Sequence, residues 1–263
     1  MSLPNVSGRR VRLVPLGART GGIIMRRRPS PDPVRPFLMK NSFLGRLPAV
    51  VIVALLEKGE IRRLAKGAIV YERGDPGHSL MVVIKGRIKL SNTSVDGNEV
   101  ILHFVGVGDV FGEIAALDGK ERAADAIALE DSVVFVVYTR DLLPTLIAHP
   151  HAMLELLQAL CERIRAGAAM IEDNVLEMRR RTARGLLRLA RQQGGRKADR
   201  TQAQLKISQE ELGKYLGMSR GNVNRQLRQL KIANVIRIRG TAITITHHRG
   251  LVDIAEASST KNR

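Results

Sequence analysis

Residues 207–230 read ISQEELGKYLGMSRGNVNRQLRQL, and this stretch decides the fold expected for the C-terminal part of the chain. Ser208 precedes Glu211 by three residues, which is the spacing of a capping box at the first turn of a helix. Gly217 then interrupts the apolar pattern, and Ser219 is a suitable N-cap for a second helix. The apolar positions of the two helices are Leu212, Leu216, Val223, Leu227 and Leu230. Two capped helices joined by a short glycine turn predict a helix-turn-helix.

The second predicted helix carries arginine and amide side chains away from its apolar face. Arg220, Asn224 and Arg225 lie where such a helix reaches base edges, since Arg can bind guanine and Asn can bind adenine. Arg228 and Lys214 are better placed for phosphates. The residues predicted to contact DNA are Ser208, Gln209, Ser219, Arg220, Asn222, Asn224, Arg225 and Arg228.

The distribution of charge supports this interpretation. The formal net charge is +18, so an acidic partner is expected, either nucleic acid or an anionic membrane. Residues 60–150 hold 10 Lys/Arg and 13 Asp/Glu, whereas residues 160–250 hold 20 and 7. The positive charge therefore lies with the predicted helix-turn-helix and with residues 237–246, whose alternation about a glycine predicts a β-hairpin wing. Double-stranded DNA is favoured over a membrane as the partner.

Several other classes of protein are disfavoured. Cys161 is the only cysteine, which excludes an internal disulfide and a four-cysteine metal site. No apolar run approaches the roughly 20 residues needed to span a bilayer, so we expect a soluble, cytoplasmic protein. Residues 1–36 contain eight Arg and one acid, and they predict a disordered basic extension.

The sequence between residues 67 and 137 changes to short β-branched runs separated by Gly and Asp, which predicts an antiparallel barrel or jelly roll. We assign this domain to residues 37–150. A metal-dependent jelly-roll enzyme would need several converging His ligands, and only His78 and His103 lie here. We therefore expect no metal site and no catalytic residues. The runs are 68–71, 80–85, 87–91, 100–105 and 132–137.

A long helix is predicted to follow the barrel, over residues 151–180. Its apolar residues recur at alternating spacings of three and four, which is typical of a two-stranded seam. We expect this helix to join two copies of the chain in a homodimer, and the alternative is a helix that faces a globular core. Residues 181–263 would form the winged helix-turn-helix, which gives an α+β fold overall. The seam residues are Leu154, Leu157, Cys161, Ile164, Ala168, Ile171, Val175 and Met178.

Residues 207–213 (ISQEELG) and 217–220 (GMSR) resemble the helix-turn-helix of the Crp–Fnr family, the relatives of the cyclic-AMP receptor protein and the fumarate-nitrate regulator. The resemblance covers about residues 44–246. It implies a homodimeric transcription regulator rather than an enzyme, with RNA polymerase as a further partner. The family carries a Glu directly after the first Arg of the second helix, where it accepts a hydrogen bond from cytosine. This chain has Gly221 there, so one base position of the half-site is expected to be relaxed or changed.

Residues 111–115 (FGEIA) and 122–124 (RAA) resemble the phosphate-binding cassette of cyclic-nucleotide domains. A cyclic nucleotide presents one phosphate and one ribose 2′-hydroxyl, which require a cation, exposed N–H groups and an acceptor. Arg122 is the candidate for the phosphate and Glu113 for the hydroxyl. The predicted ligand site is Gly112, Glu113, Ile114, Arg122 and Ala123.

Cyclic AMP is the leading candidate effector of this sensor domain, and no permanent cofactor is expected. Two alternatives remain open. Glu113 and Arg122 can instead form a structural salt bridge, and the regulator can act constitutively or respond to a signal other than a nucleotide. The second alternative is supported by the long helix, where Gly167 and Ala168 replace the Thr-Ser that the bacterial cyclic-AMP receptor presents to adenine.

Overall fold

The computed structural model describes residues 48–194 and 203–257, so the basic extension predicted for residues 1–36 lies outside it. The helices are α1 (Ala49–Lys58), α2 (Glu113–Asp118), α3 (Thr139–Ala148), α4 (Pro150–Asp173), α5 (Met178–Gly194), α6 (Gln209–Leu216), α7 (Arg220–Ile232) and α8 (His248–Glu256). The strands are β1 (Glu60–Leu64), β2 (Ile69–Tyr71), β3 (Ser79–Lys85), β4 (Ile88–Thr93), β5 (Glu99–Val105), β6 (Val110–Phe111), β7 (Asp125–Ala128), β8 (Ser132–Tyr138), β9 (Gln204–Lys206), β10 (Ile236–Arg239) and β11 (Ala242–Ile245). The predicted α+β fold is confirmed.

The N-terminal part is built from two four-stranded antiparallel sheets, with strand orders β1-β8-β3-β6 and β2-β7-β4-β5. Their core lies between the sheets, where Val134 and Val136 of β8 meet Ile88 of β4. Because side chains alternate along a strand, Phe135 and Val137 of β8 point to the opposite face. There they pack with residues of α1, α3 and α4. β8 is therefore covered on both sides, which explains its nearly continuous apolar sequence.

Helix α4 is shorter than the helix predicted over residues 151–180. It ends at Asp173, and α5 begins at Met178 after a turn. The carboxylate of Asp173 is buried and accepts hydrogen bonds from Arg184 and Arg188 of α5, at 3.2 and 2.7 Å. These contacts require α5 to fold back beside the end of α4. The helical part of the predicted seam therefore covers residues 154–171, and Val175 lies in the turn.

The predicted helix-turn-helix is formed by α6 and α7. The Ser208 hydroxyl accepts from the Glu211 backbone N–H at 3.1 Å, and the Ser208 N–H donates to the Glu211 carboxylate at 2.9 Å, which confirms the capping box. Gly217 ends α6 with φ 59°, a left-handed conformation that glycine adopts readily. Ser219 then caps α7 by accepting from the Asn222 N–H at 3.3 Å. The predicted wing is the hairpin β10–β11, in a sheet of order β10-β11-β9.

The barrel packs directly on the helix-turn-helix through β5. Ile101 and Phe104 belong to the same buried cluster as Tyr215 of α6. The rings of Phe104 and Tyr215 lie 5.5 Å apart between centroids. At the edge of this contact, Lys214 Nζ lies 3.1 Å from Glu99 Oε2. The position of α6 and α7 is therefore set in part by contacts with the barrel.

Candidate nucleotide site and DNA interface

Arg122 is held inside the barrel wall by three oxygen atoms and one aromatic ring. Its side chain is buried, and its Nη1 donates to the carbonyl oxygens of Ser79 and Gly112 at 2.9 and 2.7 Å. Its Nη2 donates to Ser79 Oγ at 2.9 Å. The guanidinium carbon lies 4.3 Å from the centroid of the Tyr71 ring. Burial lowers the pKa of Arg122 from its ordinary value, but a guanidinium stays charged in proteins.

Glu113 is the first residue of α2, and only 2% of it is exposed. Its Oε1 accepts a hydrogen bond from Nη1 of Arg163, which lies on the long helix α4. Nη2 of the same arginine donates to the carbonyl oxygen of Val110. The salt bridge of Glu113 is thus made with Arg163, and the alternative of a Glu113–Arg122 salt bridge is not what the structure contains.

Both residues of the cassette keep a buried polar atom that has no hydrogen-bond partner within the described ranges: Glu113 Oε2 and Arg122 Nε. A buried polar atom without a partner typically costs about 1–3 kcal/mol, and more when the group is charged. One of these atoms is an acceptor and the other is a donor. They match in chemistry the hydroxyl and the phosphate that a cyclic nucleotide would present.

Gly112 leaves the space in which the Arg122 guanidinium packs against the backbone of residues 79 and 112. Its φ is +74°, and a Cβ at this position would lie 2.6 Å from Arg122 Nη1 and 3.2 Å from the Ser79 carbonyl oxygen. Any other residue would therefore combine a strained backbone with displacement of Arg122. The other two predicted ligand residues, Ile114 and Ala123, are exposed beside Glu113 and Arg122.

Arg163 also affects two partly buried titratable groups close to the site. Burial raises the pKa of Asp109, an effect that the Gly106 N–H and the charge of Arg163 oppose. Burial and then Arg163 lower the pKa of His103 to about 4. The Nδ1 of this histidine lies 3.1 Å from the side-chain nitrogen of Gln192 in α5. The charge of Arg163, a residue of α4, therefore acts on titratable groups of the barrel as well as on Glu113.

Sequence reasoning missed Ser79, Tyr71 and Arg163. Arg163 lies 50 residues from Glu113, and Ser79 lies 43 residues from Arg122. No spacing rule within a helix or strand links residues so far apart. The one available signal was the place of Arg163 directly before the seam residue Ile164, which puts it on the flank of that helix.

The second candidate site is the outer face of α7. Ser219, Arg220, Asn224, Arg225 and Arg228 are exposed there, whereas Asn222, Ser208 and Gln209 are partly buried. The structure adds two arginines that the sequence analysis did not single out, Arg237 and Arg239, both exposed on the wing. Lys214, expected at a phosphate, instead forms ion pairs with Glu99 and Glu210. The outer face of α7 thus presents cations and amides without a matching set of acids.

The fold and these two sites define a class of protein, a regulator with a cyclic-nucleotide-type barrel joined to a helix-turn-helix. Two protein families match separate parts of the chain. Residues 61–149 match the cyclic nucleotide-binding domain family, and residues 180–254 match the Crp-like helix-turn-helix domain family. No helix within the described ranges is long and apolar enough to cross a membrane.

Whole-chain relatives identify the family. The cyclic AMP receptor protein of Thermus thermophilus is 32% identical over 222 residues, which cover 82% of this chain and 98% of the relative. A CRP-like cAMP-activated global transcriptional regulator of Mycobacterium tuberculosis is 29% identical, over 74% of this chain and 88% of the relative. The structure of FixK2 from Bradyrhizobium japonicum has the same fold, with a TM-score of 0.67 at 20% identity over 76% of this chain and 99% of FixK2. The chain therefore belongs to the Crp–Fnr family of transcription regulators, which is not a family of enzymes.

Proposed function

We propose that this regulator is a homodimer whose affinity for a two-fold DNA site is controlled by cyclic AMP bound at the cassette. The observation that carries the proposal is the salt bridge between Glu113 of the cassette and Arg163 of α4. This contact joins the proposed ligand site directly to the helix that carries the proposed dimer seam. A ligand that binds Glu113 would therefore act on the subunit interface.

The proposed binding mode assigns one role to each charged residue. Arg122 would bind the cyclic phosphate, and Glu113 Oε2 would accept a hydrogen bond from the ribose 2′-hydroxyl. Gly112, Ile114 and Ala123 would line the approach to these groups. The two buried atoms that have no partner among the described residues support this arrangement, since one acceptor and one donor fit the polar groups of the nucleotide.

The proposed coupling begins at Arg163. A hydroxyl that hydrogen-bonds to the Glu113 carboxylate would compete with Arg163 or share the carboxylate with it. Either change alters where α4 lies relative to the barrel. A ligand shifts a conformational equilibrium only through a difference in its contacts between the two states. The contact between Glu113 and Arg163 is the interaction that would differ between the ligand-free and the ligand-bound states.

The seam of α4 supports the homodimer. Leu154, Leu157, Ile164 and Ile171 are 49–72% exposed in the single chain, although their spacing is that of a helix-helix contact. Burying these side chains against a second copy would remove them from water. Two copies related by a two-fold axis would then place their α7 helices in successive major grooves, about one helical turn apart. We propose that such a dimer acts in the cytoplasm, on double-stranded DNA and together with RNA polymerase.

The dimer is tested by measuring the mass of the protein in solution by light scattering. Ile164→Glu places a charge on the seam and is expected to give a monomer. Arg165→Glu changes the neighbouring exposed residue off the seam and is expected to remain dimeric. If the Ile164→Glu protein remains dimeric, the two copies associate through a surface other than the α4 seam.

Control by the nucleotide is tested by fluorescence anisotropy of a labelled DNA duplex, with and without millimolar cyclic AMP. We expect cyclic AMP to raise the affinity of the wild-type protein for DNA by tenfold or more. Arg122→Ala is expected to abolish this response, whereas Arg140→Ala is expected to retain it because Arg140 has a largely exposed side chain. An unchanged DNA affinity in saturating cyclic AMP would refute control by this nucleotide and leave DNA binding intact.

A second candidate function is DNA binding that is constitutive or controlled by another signal. The observation that favours it is that protein atoms already hold both charges of the cassette, Glu113 through Arg163 and Arg122 through three oxygen atoms. Gly167 and Ala168 also leave the long helix without hydroxyls for a base. Calorimetric titration with cyclic AMP and cyclic GMP separates the two candidates, because this second function predicts no heat of binding with either nucleotide.

A further inference from the structure

We infer that Ser79 is a positioning residue for the anion site, through its double contact with Arg122. The inference rests on the proposed function, since it concerns how the barrel prepares Arg122 to bind the phosphate of a nucleotide. Ser79 is the first residue of β3 and is 6% exposed. It contacts the guanidinium with two different atoms, its carbonyl oxygen and its hydroxyl oxygen.

The number of donors on Arg122 shows what these contacts achieve. A guanidinium has five N–H donors in a fixed planar arrangement. Nη1 uses both of its donors on the carbonyl oxygens of Ser79 and Gly112, and Nη2 uses one donor on Ser79 Oγ. The two that remain are Nε–H and the second Nη2–H. Nε is buried and has no hydrogen-bond partner among the described residues.

These two remaining donors point in the same direction from one edge of the guanidinium plane. Such an edge is the fork that binds carboxylate and phosphate through two parallel hydrogen bonds. Ser79 accepts two hydrogen bonds from the opposite edge, one donated by Nη1 and one donated by Nη2. It therefore prevents the arginine from turning and keeps the Nε–Nη2 edge for an anion.

Tyr71 fixes the plane of the same guanidinium from above. Its ring is stacked on Phe111, with centroids 6.1 Å apart, so the ring itself cannot move freely. The ring supplies a flat surface for the guanidinium, and the Ser79 hydroxyl sets the rotation within that plane. Of the oxygen atoms that contact Arg122, the Ser79 hydroxyl is the one that depends on the side chain at position 79, because the backbone carbonyl oxygens of residues 79 and 112 are present with any side chain.

The inference is tested by calorimetric titration of the full chain with cyclic AMP. Ser79→Ala removes the hydroxyl and is expected to weaken binding roughly tenfold, or about 1.4 kcal/mol. Ser79→Thr retains a hydroxyl and is expected to bind within about threefold of wild type. Tyr71→Phe keeps the ring and is the matched control for Tyr71→Leu, which is expected to weaken binding. Equal affinities for Ser79→Ala and wild type, or equal losses for Ser79→Ala and Ser79→Thr, would overturn the inference.

Two further measurements separate positioning from general damage to the fold. The loss caused by Ser79→Ala should be the same for 2′-deoxy cyclic AMP, because the effect passes through the phosphate. It should also be small when Arg122 is already Lys, since that variant has no fork to position. Additive losses from Ser79→Ala and Arg122→Lys would contradict the inference.

Inorganic phosphate gives a test that does not depend on the nucleotide. We expect phosphate to raise the melting temperature of the wild-type protein above its value in chloride of equal ionic strength, and to have less effect on Ser79→Ala. If the wild-type protein binds no cyclic AMP but shows this difference, the proposed function fails and the role of Ser79 stands. Arg122→Ala shows which part of the phosphate effect arises at the cassette, and if that part is equal in the wild-type protein and in Ser79→Ala, the role of Ser79 is refuted.

Discussion

Replacing Gly221 by Glu tests whether the start of α7 reads DNA bases. Gly221 is the second residue of α7 and is exposed. A Cβ placed on it would meet no heavy atom within 4 Å, so a larger side chain needs no rearrangement. The substitution also supplies the carboxylate that the Crp–Fnr family carries after the first arginine of this helix.

The effect on stability follows from three small contributions. Glycine in a helix costs roughly 1 kcal/mol relative to Ala, and somewhat less relative to Glu. An acidic residue in the first turn gains about 0.3–1 kcal/mol from the helix dipole. A Glu four residues before Arg225 adds about 0.2–0.5 kcal/mol. We expect Gly221→Glu to raise the free energy of unfolding by about 1–2 kcal/mol, and Gly221→Ala by about 0.5–1 kcal/mol.

The effect on DNA recognition is measured by anisotropy against duplexes that differ at single half-site positions. We expect Gly221→Glu to gain a preference for cytosine at one position, of about 1–3 kcal/mol against the other bases. Gly221→Ala should leave the base preference unchanged, since it supplies no acceptor. If Gly221→Glu has the base preferences of Gly221→Ala, residue 221 does not face a base edge and the proposed orientation of α7 is wrong.

Three further changes test the packing around both sites. Asp173→Asn should lower the free energy of unfolding by roughly 2–3 kcal/mol in urea titrations, because it leaves two arginines without their buried partner, whereas Glu172→Gln beside it should have almost no effect. Gly112→Ala should abolish nucleotide binding through its contact with Arg122, and should destabilise the fold more than Gly97→Ala, which has a similar φ of +78° but open space around it. Wild-type stability should fall by at most about 1.4 kcal/mol per pH unit between pH 6.5 and 4, because His103 has a pKa of about 4 when folded and the unfolded chain binds the proton first. The difference in slope between wild type and His103→Gln measures the contribution of His103, and equal slopes in the two proteins would refute the assignment.

The pH range in which His103 titrates can be separated from that of Glu99, another residue of β5 whose pKa is strongly shifted. Despite the cost of burial, the ammonium groups of Lys89 and Lys214 beside the carboxylate lower the pKa of Glu99 to about 2. Its contribution to stability is therefore present above the usual carboxylate pKa and is lost between about pH 4.5 and 2. The range from pH 6.5 to 5 consequently reports on His103 with little interference from Glu99.

Local sequence rules predicted the elements of this fold well and their ends less well. The capping box and the wing hairpin are formed by residues within a few positions, so their signals are complete in one stretch of sequence. The residue pattern of a barrel strand is also local, but the pairing of the strands is not, since β8 pairs with both β1 and β3 from much earlier in the chain. The predicted seam of the long helix extended to Met178, but α4 ends at Asp173. The seam spacing was read from apolar residues alone, whereas the end of the helix is set by a buried carboxylate and two arginines that follow it.

The helix-turn-helix itself was determined by the sequence of residues 207–230. Ser208, Glu211, Gly217 and Ser219 satisfy backbone groups three or four residues away, and such contacts do not depend on the rest of the protein. The cassette differs, because its residue types were visible in the sequence but their partners were not. Only the tertiary structure pairs Glu113 with Arg163 and Arg122 with Ser79, since both contacts are made by burying side chains that the chain carries more than 40 residues apart.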